Sequence, residues 1–457
     1  MTASVPRHYD VAVVGAGPVG AVAALAHARR GARVALCEAN PSSARRLAGE
    51  WLHPPAIQVL RELGIDLPSE ISEHAAGQGF VVFPDDGSAP CLLPYGDGAL
   101  GYSCRHQALV ETLRRSAASH PGIEYRPGVR VRRIEGRSLH YTQNGSSGFL
   151  TADRIVGADG RGSIVRKSLG LSVARSISSR MVGLLLPDAE LPFEGYGHVL
   201  LGGPGPVLAY RIAPRHVRLI LDVPLHGPAG RERAAFLWDG YADVLPGALR
   251  APFRRVLAAG AFEGAANGVR GRRVYGRGDR FLVGDAVGYH HPLTAVGMAL
   301  GFKDALCLAH CQSVAEYRAR RRPASRVAEL LAVGLYEALA DSADEAVATR
   351  RAIYAMWRRR AAEGTRTMGY LACRDTRVIP FAWAFSRTIG RALRGLGGAA
   401  WRSGQWGHAG RVAGALLGRL RWLVVGILSG RARGESRLAP RDRAEPGRGV
   451  RTAPPSR

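Results

Sequence analysis

Between Val11 and Glu38 the chain spells out a complete βαβ unit. Val11 to Val14 form a short apolar run, followed by Gly15-Ala16-Gly17-Pro18-Val19-Gly20, an alanine-rich helical stretch, Gly31, and a second apolar run, Val34 to Cys37, closed by Glu38. Each glycine has a physical task. Gly15 allows the tight turn, Gly17 lets a pyrophosphate approach the backbone, and Gly20 lets the helix pack on the strand. The Glu38 carboxylate is placed to accept hydrogen bonds from an adenosine ribose, which favours FAD or NAD over a 2′-phosphorylated NADP. Asp10, the glycines and the lack of a cleavage pattern mark this apolar segment as structural rather than as a signal peptide.

Two later segments suit the same ligand. Val156-Gly157-Ala158-Asp159-Gly160-Arg161 reads as a strand ending in Asp-Gly, which is either a pyrophosphate neighbour or a simple turn. Phe281-Leu282-Val283 leads into Gly284-Asp285, so the Asp285 side chain falls at a strand's carboxyl end, where open α/β sheets hold ligands. A helix is expected to begin near Gly297, just before Met298. Its free N–H groups and positive dipole end would face whatever the loop from His290 to Thr294 encloses, and a reduced, anionic isoalloxazine needs such a partner.

The order of these three segments resembles that of the FAD-dependent monooxygenases of the p-hydroxybenzoate hydroxylase type. Further segments narrow the likeness: Arg46-Leu47-Ala48-Gly49-Glu50-Trp51-Leu52-His53-Pro54, Val59 to Gly64, Pro94-Tyr95, Gly101 to Arg114, Pro206 to Tyr210, His291-Pro292-Leu293-Thr294, Phe302-Lys303-Asp304 and Leu335-Tyr336-Glu337. With these the chain resembles the squalene monooxygenase (squalene epoxidase) family from about Asp10 to about Leu371. The resemblance implies that Pro18, Val19, Glu38 and Ala39 line the adenosine half of FAD and that Arg46, Trp51 and Arg114 contact the cofactor. It also implies that Asp285 binds the ribityl chain, and that Gly297 and Met298 meet the flavin. Where the family has a tyrosine-glutamine pair beside the flavin, this chain reads Phe80 and His53, and no catalytic side chain is assigned beyond these two flanking residues. Ala295 and Val296 replace two glycines, so an altered loop path is expected, because a β-branched residue does not readily adopt positive φ.

The activity so implied is epoxidation of squalene or a similar apolar isoprenoid or polyene through a C4a-hydroperoxyflavin, with O2 as co-substrate. Such chemistry needs a dry cavity, and Met181 to Leu186, Val199 to Leu201 and Val207 to Leu208 are candidate walls or ordinary sheet core. No second nucleotide fingerprint occurs, so NADPH either binds in the substrate cleft or supplies electrons through a separate reductase, the case the family resembles. Two other chemistries suit the same architecture: an FAD-dependent prenyl-lipid reductase, and an aromatic or polyketide hydroxylase.

The 457 residues imply two to three domains in an α/β fold. A Rossmann-like FAD-binding domain (1–75, 97–175 and 270–330) is interleaved with a β-rich substrate domain (76–96 and 176–269). C-terminal helices follow in 331–430, and the tail 431–457, rich in Arg, Pro and Gly, is expected to be disordered. The net charge of +26 is carried almost wholly by arginine, since lysine occurs only at Lys167 and Lys303. No zinc-finger spacing, RNP motif or basic heptad region points to nucleic acid, whereas an anionic membrane surface would also attract such a chain. Six cysteines without CxxC spacing suit a reduced cytoplasm and no metal. Ile379 to Leu396 and Arg411 to Leu428 are apolar with interrupting arginines and, with the stretch between them, hold four of the seven tryptophans (383, 401, 406 and 422). They read either as helices lying at a membrane surface, peripheral or monotopic, or as a bundle capping the core.

Overall fold

The computed structural model describes residues 7–429, apart from 43–46, 48, 66, 68–72, 172–176, 226 and 228–231. Arg46 and the tail 431–457 therefore lie outside the described residues. The chain is built on two large sheets and a set of C-terminal helices.

The first sheet has eight strands. Its central run, Arg280–Leu282, Ser146–Gly157, His8–Val14, Val34–Glu38 and Ile123–Pro127, is parallel throughout, and Gly276–Arg277 pairs antiparallel at one edge. The hairpin Arg130–Glu135 and Ser138–Gln143 extends the first half of Ser146–Gly157. Parallel strands are buried on both faces and so read as unbroken apolar runs, as Val11 to Val14 do. The helix Pro18–Ala28 is buried from Gly20 onward. It packs against Val296–Ala309 and His106–Ala118.

The second sheet has seven strands in the order Phe262–Gly268, Ile177–Pro187, His216–Val223, Val207–Ala213, Tyr196–Leu200, Gly79–Phe83 and Cys91–Pro94. All neighbours are antiparallel except Tyr196–Leu200 with Gly79–Phe83. Successive side chains alternate between its faces. Val182, Leu184, Leu186, Leu200, Val207 and Ala209 pack with Leu237 and Phe253 of the helices Glu232–Tyr241 and Gly247–Ala258. Val199, Leu201, Leu208 and Tyr210 turn the other way, toward Leu335, Tyr336 and Tyr354 of the C-terminal helices. Half of the candidate pocket walls thus belong to the far face and do not line the side shared with Trp51 and Phe80.

A buried ion pair ties the second sheet to the segment just before Trp51. Arg218 grips Glu50 with two parallel bonds, Nε to Oε2 at 2.9 Å and Nη2 to Oε1 at 2.8 Å, and the Tyr210 hydroxyl donates to Oε2 at 3.0 Å. Removing one partner of such a pair strands a buried charge, at a cost of about 3–5 kcal/mol.

The C-terminal region is helical over Val314–Ala340, Asp344–Arg359, Ala361–Leu371, Val378–Ser403 and Trp406–Ser429. The last two leave Ile379, Trp383, Trp401, Trp406 and Leu428 exposed, Ile379 by 83% and Trp401 by 80%. Among the described residues no helix is long and apolar enough to cross a membrane, and no cluster of His, Cys, Asp and Glu could hold a metal ion.

Candidate functional site

Register in the parallel sheet aligns the strand ends that the sequence singles out. Val14 is level with Cys37 on one side and Gly157 on the other, and Gly157 is level with Leu282. Gly15, Glu38, Asp159 and Asp285 therefore emerge along a single carboxyl edge, the place where open parallel sheets bind ligands.

The glycines differ in what surrounds them. Gly15 has φ +97°, and a Cβ there would meet Ala158 O at 2.8 Å; one on Gly20 would lie 1.8 Å from Gly15 O. Gly17 meets nothing within 4 Å, and neither does Gly297 at the start of Val296–Ala309. The helices that open at these two positions have no side-chain cap and no acidic residue in the first turn. Their leading N–H groups and positive dipole ends are unspent. Val19 brings them together: a Cβ on Gly301 would lie 2.5 Å from the Val19 side chain, and one on Gly284 3.2 Å. This edge fits a dinucleotide with an anionic centre.

Side chains around the edge are already organised. Glu38 accepts from Ala16 N at 2.7 Å and Asn40 N at 2.8 Å, and faces Arg114 Nη2 at 3.1 Å. Arg114 in turn donates from Nε to Ala16 O at 2.8 Å and from Nη1 to Pro41 O at 3.1 Å, so it braces the glycine turn from the far side of the acid. Ala39 follows Glu38 at the strand end. Asp159 accepts from Ile164 N through Oδ2 at 2.6 Å, while its buried Oδ1 has no partner. Burial raises the Asp159 pKa, with the hydrogen bonds from Ser163 and the Ile164 backbone opposing. Asp285 is half-exposed and is reached by Arg161 Nε at 3.3 Å. Arg161 also lies over the Tyr289 ring, 4.8 Å from its centroid.

The loop before the second helix keeps a positive-φ turn without a glycine. Ala295 itself takes φ +50°, ψ +15°, and Val296 is the first residue of the helix in ordinary conformation. An alanine in this region costs about 1–2 kcal/mol. The substitution of both glycines therefore leaves one left-handed residue at Ala295. Met298, one turn on, packs its methyl group where a Cβ on Gly49 would come within 3.0 Å.

Two buried polar networks hold this loop. In the first, the Trp51 indole N–H donates to the Tyr95 hydroxyl at 2.8 Å, Tyr95 OH lies 2.6 Å from His53 Nδ1, and His53 Nε2 lies 3.0 Å from Thr294 O. A carbonyl only accepts, so Nε2 carries the proton and Nδ1 takes the hydrogen bond from Tyr95. Burial drives the His53 pKa down to about 4, so the ring is neutral. Phe80 closes the group with its ring centroid 5.0 Å from Trp51 and 5.9 Å from His53. The hydroxyl that Phe80 lacks is thus present next door on Tyr95, at the end of the strand paired with Gly79–Phe83. Sequence reasoning assigned no role to Tyr95; its position directly after a strand paired with Phe80 was the available signal.

In the second network, Leu293 N donates to His291 Nδ1 at 3.2 Å, leaving Nε2 to donate to Asp222 Oδ1 at 3.2 Å. Ser179 Oγ and Asn267 Nδ2 also donate to Oδ1, at 2.5 and 3.1 Å, and Tyr336 OH donates to Oδ2 at 2.9 Å. Tyr336 stacks on His291 with 3.8 Å between centroids. Burial alone raises the Asp222 pKa, but the hydrogen bonds from His291, Ser179 and Tyr336 outweigh it and hold the carboxylate below its ordinary value. Although Ser, His and Asp meet here, Ser179 gives its proton to the carboxylate rather than to the imidazole, so the set is not an activated nucleophile.

Phe302-Lys303-Asp304 forms a third knot. Asp304 is fully buried, accepts from Gly284 N at 3.0 Å and from Arg321 Nε at 2.8 Å, and pairs with Arg272. Lys303 Nζ donates to Cys373 O at 2.6 Å. This motif fixes the backbone of Gly284 next to Asp285 from below.

The family model described as "Squalene epoxidase" matches residues 151–379, half of the chain. The chain belongs to the squalene epoxidase family. A second family model, "FAD dependent oxidoreductase", matches residues 10–92, which hold the glycine turn and Glu38. Arabidopsis thaliana "Squalene epoxidase 2, mitochondrial" is 28% identical over 362 residues, 74% of this chain and 62% of that protein. The Rattus norvegicus "Squalene monooxygenase" is 28% identical over 315 residues, 65% of this chain and 53% of its own. The chain thus spans less than two thirds of the length of both of these squalene epoxidase relatives. Among solved structures, P. aeruginosa PqsL in complex with 2-aminobenzoylacetate superposes with a TM-score of 0.60 at 21% identity, over 73% of this chain and 97% of that one. The flavin-dependent brominase Bmp2 gives 0.63 at 17% identity over 79% and 94%. These structural likenesses place the squalene epoxidase family chain in the flavin monooxygenase fold.

Proposed function

We propose that this chain is an FAD-dependent monooxygenase that epoxidises squalene or a similar apolar isoprenoid. The observation that carries the reading is the packing of two helices without side-chain caps, one starting after Gly17 and one at Val296, through Val19 against Gly301 at the carboxyl edge of a parallel sheet, beside a loop that contacts a large apolar cluster. Gly17 would let the pyrophosphate approach, with Gly15 shaping the turn and Gly20 the helix packing behind it; Pro18, Val19, Glu38 and Ala39 would line the adenosine half, Asp159 would neighbour the pyrophosphate, and Asp285 would bind the ribityl chain. Arg114 would hold Glu38 in place, and Gly297 and Met298 would meet the ring at the second helix start. When bound, FAD supplies the redox and oxygen chemistry.

The chain's own residues supply orientation and dryness. Trp51, Phe80, Tyr95, Leu208, Tyr210, Leu293 and Leu335 belong to one buried apolar cluster. Such walls exclude water from a reacting centre. The relay from Trp51 through Tyr95 and His53 to the Thr294 carbonyl fixes the loop that ends at Ala295, and neutral His53 adds no charge beside an alkene. Electrons from NADPH would arrive through a separate reductase, since the one glycine fingerprint is committed to FAD. The exposed tryptophans and arginines of the last two helices support a peripheral seat on a membrane surface, from which an apolar substrate could be drawn.

The test is product identity. Purified holoprotein given squalene, NADPH and a reductase is expected to yield the monoepoxide by mass spectrometry. A product gaining hydrogen instead would favour a prenyl-lipid reductase. No reaction with squalene, together with hydroxylation of an aromatic substrate, would favour the hydroxylase.

A further inference from the structure

The helices Val314–Ala340, Asp344–Arg359, Ala361–Leu371, Val378–Ser403 and Trp406–Ser429 line a cavity that opens to the surface on one side. Leu331, Leu335, Ile353, Met356, Phe385 and Ile389 make it largely apolar. Leu335, Ile353 and Met356 belong also to the apolar cluster that contains Trp51, Phe80 and Leu293. These three side chains therefore line the cavity and pack in the same cluster as Leu293 of the loop before the helix Val296–Ala309.

The polar groups in the lining are nearly all spent on one another. Thr349, Thr367 and Thr388 donate to carbonyls of their own helices at 2.7, 2.8 and 2.9 Å. The Trp357 indole N–H donates to Thr367 Oγ1 at 3.0 Å. Glu363 pairs with Arg366 and Arg387, each at 2.9 Å, and Arg419 Nη1 meets Glu337 at 2.7 Å. Two donors are left over: the Tyr370 hydroxyl and Arg419 Nε are buried and have no partner. Buried donors without partners are rare and costly, which marks them as places where a ligand atom belongs. The Arg419 charge is already met by Glu337, so the missing partner is a neutral acceptor rather than an anion.

We propose that this cavity is a second lipid site, which takes a neutral isoprenoid with an apolar body and one acceptor oxygen. Resting on the proposed epoxidase activity, the ligand of this class at hand is the enzyme's own product: an epoxide oxygen accepts hydrogen bonds and cannot donate them. The site would receive product from the apolar cluster with which it shares Leu335, Ile353 and Met356.

Equilibrium binding of radiolabelled 2,3-epoxysqualene and squalene to the FAD-loaded full chain in detergent micelles tests this, without NADPH or reductase. Tyr370→Phe removes one buried oxygen and is expected to weaken epoxide binding about 10-fold while leaving squalene binding within about twofold. Gly334→Leu projects a side chain into the cavity, where a Cβ meets only Phe385 at 3.6 Å. Leucine also favours the helix over glycine, so the variant should fold, with one equivalent less of bound epoxide. Epoxide binding that is the same in wild type and both variants, or absent from all three, would overturn the proposal. Because no turnover is involved, a protein that binds epoxide through Tyr370 but fails to epoxidise squalene would sink the proposed activity and leave this site standing, and the converse holds equally.

Discussion

His291 Nε2 lies 3.2 Å from Asp222 Oδ1, and this contact ties the loop before the helix Val296–Ala309 to the second sheet. Four donors converge on that one buried carboxylate, from strands at Ser179 and Asn267, from the loop at His291 and from a C-terminal helix at Tyr336. Asp222→Asn would place an amide N–H₂ among donors and is expected to cost about 3 kcal/mol or more of stability, while Tyr336→Phe should cost about 1–3 kcal/mol. Urea unfolding of the two variants checks this. An Asp222→Asn protein as stable as wild type would show that the network is not holding the loop.

Gly17 and Gly20 separate cofactor binding from folding. A Cβ at Gly17 meets nothing, and its φ of −70° suits alanine. Gly17→Ala should fold with stability within about 1 kcal/mol of wild type yet lose on the order of 10-fold or more in FAD affinity, because the methyl group would occupy the pyrophosphate's approach. Gly20→Ala puts a methyl group 1.8 Å from Gly15 O and should fail at folding instead. The flavin absorbance of each purified variant, beside a thermal melt of the apoprotein, reads both. Full FAD retention in Gly17→Ala would displace the pyrophosphate from this turn.

Acid should weaken the fold before it touches ordinary carboxylates. Burial depresses the pKa of His53 to about 4, and His27 and His198 are likewise pushed down to about 4. The unfolded chain binds protons at these sites near pH 6.5 while the folded one does not, so their contribution is complete above about pH 6.5 and is lost as pH falls toward 4. For His53 alone the loss is about 3 kcal/mol. Denaturant midpoints measured at pH 7, 6 and 5 should fall steadily, and less steeply in His53→Gln. A midpoint independent of pH over that range would contradict the neutral, buried ring.

The last two helices should bind lipid through their tryptophans. Trp383 is 66% exposed and Trp406 56%. With anionic vesicles, the combined Trp383→Ala, Trp401→Ala and Trp406→Ala variant is expected to sediment about 10-fold less well than wild type, and salt should weaken the binding of both. Equal sedimentation would favour a bundle that only caps the core.

What the sequence made legible was whatever a local backbone demand imposes. Gly15 and Gly20 are needed within a few residues of where they act, and the parallel register then delivers Glu38, Asp159 and Asp285 to the same edge. Arg114 was expected at the cofactor through family likeness alone, and the structure adds that it braces Glu38 and Ala16. The Asp222 network was invisible because its members are spread from Ser179 to Tyr336, with Tyr336 alone 114 residues from Asp222, and no spacing rule links them. Tyr95 escaped assignment because the relevant neighbour of Phe80 lies across a sheet rather than along the chain. Phe302-Lys303-Asp304 stood out as a motif without a stated task, and packing shows why: a carboxylate this buried needs both Arg272 and Arg321, which come from different elements.

The central claim is that one atom of O2 enters an apolar alkene. Reaction of the holoprotein, NADPH, a reductase and squalene under 18O2 should give an epoxide two mass units heavier than the product formed in air, with no label acquired from H2 18O. An unlabelled oxygenated product, or a hydrogenated one, would contradict it.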